Sequence, residues 1–292
     1  MRRNPLALGG LGEIVDAYDA FIIDQWGVLH DGCKPYPGAI DCLERLRARG
    51  RPTIVLSNSP KRADRNLARM AAIGIAPALV TAVISSGEAF HRDMTARPTP
   101  FFAGLGRRCF VIAEDADRSP LEGLDLAEVG RIEDADFVLV TGLDSPRVTV
   151  AGLEALLAAA RARELPMICA NPDILRITPG GVFEAPGAVA RRYEAMGGRV
   201  CWFGKPHPAI YDVCFAAIGG RDDRRFLAIG DSLDHDVRGA GGVGVDAVLI
   251  AGGVLASELR LQADGSFDAE RLRALCAEAD AWPKFVMPDL RW

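Results

Sequence analysis

Short apolar runs rich in β-branched residues recur along this chain, with amphipathic stretches between them. The runs at 20–24, 52–57, 79–84, 109–113, 136–140, 166–170, 199–203, 225–230 and 245–250 predict strands. Helical spacing of apolar positions predicts helices over 37–49, 61–73, 147–163, 187–197, 207–218 and 233–241. Strands separated by such segments form βαβ units, so the expected class is α/β with a mainly parallel sheet. Two stretches read as connections: 94–107, which holds Pro98 and Pro100, and the passage from Thr178-Pro179-Gly180-Gly181 through Pro186-Gly187. No internal repeat or low-complexity tract interrupts the pattern.

The length of 292 residues leaves room for two domains or one large one. A formal net charge of -5 gives no basic footprint, so nucleic acid is not an expected partner. No apolar run reaches the roughly 18 residues that span a bilayer. Glu13 and Asp16 interrupt the stretch behind Arg2 and Arg3 before a secretory segment forms. The expected setting is therefore the cytoplasm, without a membrane partner. The cysteines are scattered, with no Cys-x-x-Cys, and no two histidines stand at ligand spacing. That pattern argues against a disulfide framework and against a zinc site.

Four segments share one design, in which an apolar run ends in polar groups suited to phosphate and a hard cation. Phe21-Ile22-Ile23 ends abruptly on Asp24, which places a carboxylate at the carboxyl end of a strand, where open α/β sheets hold their ligands. Such a carboxylate can attack a phosphoryl group or ligate a cation. Thr53-Ile54-Val55-Leu56 runs into Ser57-Asn58-Ser59-Pro60 ahead of a predicted helix, a ready anion cradle, though Ser59 as a simple helix cap is the plainer reading of that segment alone. Lys205 is held between Gly204 and Pro206 just before a helix, where it could neutralise both a carboxylate and a phosphate; by itself it is an ordinary turn lysine. Phe226-Leu227-Ala228-Ile229-Gly230 empties into Asp231, Asp234 and Asp236. A helix N-terminus accounts for Asp234 and Asp236, but not for Asp231 at the strand end. Gly239-Ala240-Gly241-Gly242-Val243-Gly244 fits G-x-G-x-x-G, yet it follows a predicted helix and precedes a strand, so it reads as a turn and not as a dinucleotide site.

The order and spacing of these segments resemble the haloacid dehalogenase superfamily, and within it the class IIA branch with a large α/β cap. Asp24 through Gly32, Ser57-Asn58-Ser59, Val140-Thr141-Gly142-Leu143-Asp144, Asn171-Pro172-Asp173, Gly204-Lys205-Pro206 and Gly230-Asp231 with Asp236 carry the likeness, which covers nearly the whole chain. The resemblance implies a Rossmann-like core from 1–84 and 197–292, with an α/β cap inserted at 85–196. It implies a phosphatase acting on a small phosphorylated metabolite, with Asp24 as nucleophile forming an aspartyl-phosphate and Lys205 as its catalytic partner. Ser57, Asn58 and Lys205 would bind the transferring phosphoryl group. Mg²⁺ would be held by Asp24, the backbone carbonyl of Trp26, Asp231 and Asp236. Asn171 and Asp173 on the cap would face the substrate's leaving group.

One position departs from the pattern. Phosphatases similar to this chain carry an aspartate two residues after the nucleophile as general acid and base, and Trp26 stands there. An indole N–H cannot take that role, and losing a general acid typically costs about 10²–10⁴-fold. Three outcomes follow: an enzyme that is slow or confined to good leaving groups, a proton supplied from elsewhere, or a protein that binds a phosphorylated ligand without turning it over. His30 and Asp31, on the turn after Asp24, are the first candidates for a substitute acid or base, with His207 and His235 behind them. Dehalogenation or phosphonate cleavage at the same aspartate is a further alternative, and the acidic Asp231 cluster points to a metal and so away from dehalogenation. The apolar tail Phe285-Val286-Met287-Pro288 through Trp292 is expected to dock either on the core or on a second subunit, which leaves a homodimer open.

Overall fold

In the central strands nearly every side chain is apolar and buried: Phe21, Ile22 and Ile23; Ile54, Val55 and Leu56; Leu227, Ala228 and Ile229; Val248, Leu249 and Ile250. Continuous apolar runs of this kind belong to parallel strands covered on both faces by helices. The structure, a computed structural model, describes residues 4–114, 118–178 and 181–292. Among these, the strands are β1 (Leu6–Ala7), β2 (Ala20–Asp24), β3 (Thr53–Ser57), β4 (Ala82–Ser85), β5 (Arg108–Ile112), β6 (Ala127–Glu128) and β7 (Phe137–Val140). They continue with β8 (Met167–Cys169), β9 (Leu175–Thr178), β10 (Gly181–Glu184), β11 (Val200–Trp202), β12 (Phe226–Gly230), β13 (Asp246–Ile250) and β14 (Phe285–Met287).

The chain forms two compact units. The first comprises the chain through Ser57, Asp64–Ile84 and Lys205–Trp292; the second comprises Asn58–Ala63 and Ser85–Gly204. The return to the first unit therefore falls at Lys205 and not at 197, because β11 pairs with β8 and completes the second unit's sheet.

The first unit is built on a sheet of order β1-β14-β13-β12-β2-β3-β4. Each pair from β1 through β3 is parallel. From β2 the chain passes to β3 on one side, while β12 lies on the other, so the strand order reverses at the carboxyl ends of β2 and β12. A crevice at such a switch point is where doubly wound sheets bind ligands. The register Asp24↔Leu56 sets Ser57 at the end of β3 beside the β2 turn.

The second unit holds a five-stranded sheet of order β11-β8-β7-β5-β6, with parallel pairing throughout, and a separate antiparallel hairpin of β9 and β10. Its core packs Val138, Val140, Leu157, Val189 and Tyr193 together. The Tyr193 hydroxyl, buried with its ring, donates to the Leu165 carbonyl at 2.6 Å. The helix Ser86–Ala96 starts at Ser85, whose Oγ accepts from Glu88 N at 3.1 Å, the cap geometry expected of serine there.

All nine predicted strands are present with boundaries shifted by a few residues, and several elements differ from expectation. The passage read as a loop around 178–187 contains β10 and the last residue of β9, and their cross-strand bonds outweigh the weak strand propensity of its glycines; Pro179 and Gly180 lie outside the described residues. The segment read as a connection at 94–107 includes the end of the Ser86–Ala96 helix and a short helix at Pro100–Ala103, with Pro100 at its first turn. A helix at Ala269–Ala279 was not expected, although Asp268 caps it through Glu270 N and Arg271 N. The apolar tail docks on its own core: β14 lies between β1 and β13 in the sheet. The G-x-G-x-x-G stretch forms a helix, Arg238–Gly242, and a turn with Gly244 at φ +66 ahead of β13. All seven cysteines are free. Among the described residues no helix is long and apolar enough to cross a membrane.

Candidate functional site

At the switch point the first unit gathers four charged side chains that are all buried: Asp24, Lys205, Asp231 and Asp236. The Lys205 ammonium donates to the Asp24 carboxylate and, at 2.7 Å, to Asp236 Oδ1. The other Asp236 oxygen accepts from Ser232 N at 3.2 Å. Asp231 Oδ2 accepts from Val254 N at 2.9 Å, in the turn that follows β13.

Local backbone form explains how these groups reach one another. Gly27, at φ +77, and Gly253 both press against the Asp231 carboxylate, and a Cβ at either position would collide with it. After β12 the chain enters a wide turn at Leu233–Val237, begun by Ser232, whose hydroxyl accepts from His235 N at 3.2 Å. That turn aims Asp236 inward to the lysine and Asp234 outward, where it pairs with Arg238 at 2.7 Å. The two aspartates that read alike in sequence thus do different work, and Asp234 is the surface helix-end acid.

One carboxylate oxygen from each of Asp24, Asp231 and Asp236 lies within 4.8 Å of the other two. Three carboxylates against one ammonium leave two negative charges in excess within this cluster. Burial, with the nearby Asp236 and Asp231 charges, pushes the Asp24 carboxyl well above the usual carboxylate range, against the pull of Lys205. Burial and the Asp236 charge likewise push Asp231 up to about 7. Burial works against the Lys205 charge, but Asp236 and Asp24 outweigh it and hold the ammonium protonated. Such a donor set, all oxygen and doubly over-charged, fits a hard divalent cation. Both Asp236 oxygens are engaged, which makes it the lysine's partner; Asp24 and Asp231 each spend one oxygen on the bonds above and keep a second.

The rim of the site is electrically different. Trp26 stands 43% exposed, two residues from Asp24. The Arg69 guanidinium lies over its ring at 5.0 Å from the centroid and donates to the Gly32 carbonyl at 3.0 Å. His30 meets the indole edge-on at 4.9 Å, and Gly32, at φ +94, leaves room where a Cβ would strike the indole. Neither of the first two candidates for a substitute acid, His30 and Asp31, is placed for that role. His30 is completely buried, and burial together with Arg69 lowers it to about 4, so it is neutral at physiological pH. Its Nδ1 accepts from Gly32 N at 3.0 Å, and its Nε2 lies 3.1 Å from the nitrogen of the buried Gln25 amide, so both ring nitrogens are engaged inside the turn. Asp31 accepts from Cys33 N and Lys34 N, both at 2.8 Å; these bonds keep it ionised and make it a turn former.

Of the remaining predicted site residues, Ser57 is buried at the end of β3 in the first unit. Asn58, Asn171 and Asp173 come together in the second unit: Asn58 Nδ2 donates to Asp173 Oδ1 at 2.8 Å, and Asn171 Oδ1 accepts from Asp173 N at 3.1 Å. Four contributors were not foreseen: Gln25, Arg69, Gly253 and the Val254 amide. The Ala251-Gly252-Gly253 run directly after the apolar β13 was the legible sign of the last two, because it repeats the strand-then-turn design of the other segments.

Known proteins resemble this chain along most of its length. Residues 21–127 match a family model described as haloacid dehalogenase-like hydrolase, and residues 202–292 match a HAD-hydrolase-like model. A solved hydrolase of the haloacid dehalogenase-like family from Brucella suis is 33% identical, with a TM-score of 0.79 over 96% of this chain and 98% of that one. The D-glycerol 3-phosphate phosphatase of Mycobacterium tuberculosis is 29% identical over 82% of this chain and 65% of its own length, so the match spans slightly less than two thirds of that enzyme. A glycerol phosphate phosphatase from Mycobacterium tuberculosis, solved in complex with calcium, is 25% identical with a TM-score of 0.62, over 82% of this chain and 68% of that one.

Proposed function

This chain belongs to the haloacid dehalogenase-like hydrolases, and on that premise we propose that it is a Mg²⁺-dependent phosphatase of a small phosphorylated metabolite, working in the cytoplasm through an aspartyl-phosphate on Asp24. The observation that carries the reading is the buried cluster at the switch point, where a strand-end carboxylate is fixed by a lysine beside two further carboxylates. So dense a group of buried acids is costly unless a cation neutralises it.

Asp24 is the attacking group, and Lys205, itself locked by Asp236, holds the carboxylate in one orientation. Lys205 also lends its charge to the incoming phosphoryl oxygens. Ser57 completes the phosphoryl contacts from the end of β3, while Asn58, Asn171 and Asp173, which meet in the second unit, are the residues proposed for specificity. Asp24, Asp231 and the Trp26 carbonyl are the residues that would hold Mg²⁺, with Asp236 acting through Lys205. When bound, the cation neutralises charge on the phosphoryl oxygens and orients them. The calcium-bound mycobacterial relative supports a divalent ion at such a centre.

A second reading is a protein that binds a phosphorylated ligand with little or no turnover, and Trp26 is the residue that favours it. Phosphate release from a panel of phosphate esters with Mg²⁺, for the native chain and Asp24→Asn, separates the two. Turnover lost in the variant and in EDTA is expected. Absence of turnover in both, with phosphate esters still bound, would establish the binding protein instead.

A further inference from the structure

We propose that the site is built for phosphate esters whose leaving oxygen departs unprotonated, as an aryl, enol or acyl oxyanion, and that phosphorylated Asp24 accumulates during turnover. The inference rests on the aspartyl-phosphate reading above and names its substrate class.

Where a carboxylic acid would donate, Trp26 offers only an indole N–H, which is not usefully acidic. The indole is also fixed. Arg69 covers one side and is anchored to the Gly32 carbonyl, His30 abuts its edge, and Gly32 supplies the space for its six-membered ring. The titratable groups on the turn, and the lysine–aspartate pair beside it, are committed elsewhere. His30 is sealed inside the turn between Gly32 N and Gln25, and Asp31 accepts two backbone N–H groups on the outer side. Lys205 is bound to two carboxylates, and Asp236 to the lysine and to Ser232 N.

The chemistry follows from this inventory. An Asp24 oxygen forms a bond to phosphorus while the ester P–O bond breaks and its electron pair leaves on the departing oxygen. No group on the turn protonates that oxygen, so it takes a proton from water only after release. An alkoxide leaves poorly under these terms, whereas a delocalised aryl, enol or acyl oxyanion leaves well. In the second step water attacks the phosphorus of phospho-Asp24, and the P–O bond to Asp24 returns its electron pair to the carboxylate. The water proton passes to solvent and inorganic phosphate departs. With no base at position 26 to take that proton, this step is unassisted as well, and the phosphorylated enzyme builds up whenever the first step is quick.

The test is kcat/KM for a series of aryl and alkyl phosphates with Mg²⁺, together with the pre-steady-state release of a nitrophenolate. A steep fall with rising leaving-group pKa is expected, with a burst close to stoichiometric with protein. Intact-chain mass spectrometry should find a phosphoryl adduct that Asp24→Asn lacks. Trp26→Asp should raise alkyl-ester turnover by about 10²-fold or more, flatten the dependence and shrink the burst. Trp26→Asn, similar in size but without a proton to give, should stay steep. Should Trp26→Asp fail to fold, the native slope and burst still decide. A flat native dependence that nevertheless requires Asp24 overturns the inference, because another group must then donate the proton. No phosphate release from the most activated ester and no adduct overturns the phosphatase reading itself.

Discussion

The floor of the site and its rim meet at the turn after β2, where Asp24 belongs to the floor and Trp26 to the rim, and they obey opposite electrostatics. On the floor, Asp24, Asp231 and Asp236 crowd one buried lysine, and burial pushes the first two toward protonation. On the rim, one to six residues beyond Asp24, Gln25, Trp26 and His30 form a neutral assembly in which the histidine is driven to about 4. Burial acts on both sets, disfavouring charge in each. It leaves the floor in need of a cation and the rim without a proton to give. The turn after β2 therefore carries the attacking carboxylate at Asp24 but not its complement, a proton donor, at Trp26.

The comparison breaks most sharply at Lys205. Lys205→Met keeps the bulk of the side chain but leaves three buried carboxylates with no ammonium. Removing one partner of a buried ion pair costs about 3–5 kcal/mol. Chemical denaturation at an unchanged m-value should show a loss of that size, and Asp236→Leu in the same chain should recover part of it. If Lys205→Met is neutral, the floor does not depend on its lysine, and the charge contrast with the rim is not what shapes the loop.

How much of this was legible beforehand differs between floor and rim. Asp24 and Asp231 announce themselves, since each ends a buried apolar run where solvent-facing polarity has no packing reason. Lys205 is readable from the glycine and proline around it. Asp236 was visible only as one of three acids, because the wide turn that points it inward and sends Asp234 to Arg238 depends on backbone form. The clamp on Trp26 was out of reach: Arg69 lies on a separate helix, and a stacking contact between sequence-distant residues leaves no periodic trace. The same limit applies to the fold. Long, fully buried strands were evident, while β9 and β10 draw their order from cross-strand bonds and β14 from its place inside the sheet.

A cation should relieve the floor and leave the rim unchanged, which gives the second test. Between its ordinary 3.8 and about 7, native Asp231 holds a proton that the unfolded chain has released. The native state binds more protons in that window, so stability of the metal-free protein falls as pH rises through it. Mg²⁺ should reverse this, by about 2.7 kcal/mol at a hundredfold excess over Kd. Thermal melts with Mg²⁺ or EDTA at about pH 5 and about pH 8 should show the larger gain at the higher pH. Asp231→Asn should flatten the metal-free pH dependence and reduce the Mg²⁺ gain. A Mg²⁺ gain equal at both pH values and intact in Asp231→Asn would mean that the cation does not sit on these carboxylates.

The smallest effect tests whether the rim is rigid. Arg69 and Trp26 both reach solvent, so their cation–π contact is expected to contribute about 0.5–1 kcal/mol. A double-mutant cycle with Arg69→Ala and Trp26→Leu isolates that coupling from the packing each side chain makes alone. A coupling in this range keeps the indole pinned over Gly32 and keeps other groups out of the position an acid would need. Zero coupling would mean an indole free to swing, and a donor from elsewhere could then enter beside Asp24. The division between a charged floor and a proton-less rim would then hold in only one conformation, and a shallow leaving-group dependence would be its kinetic counterpart.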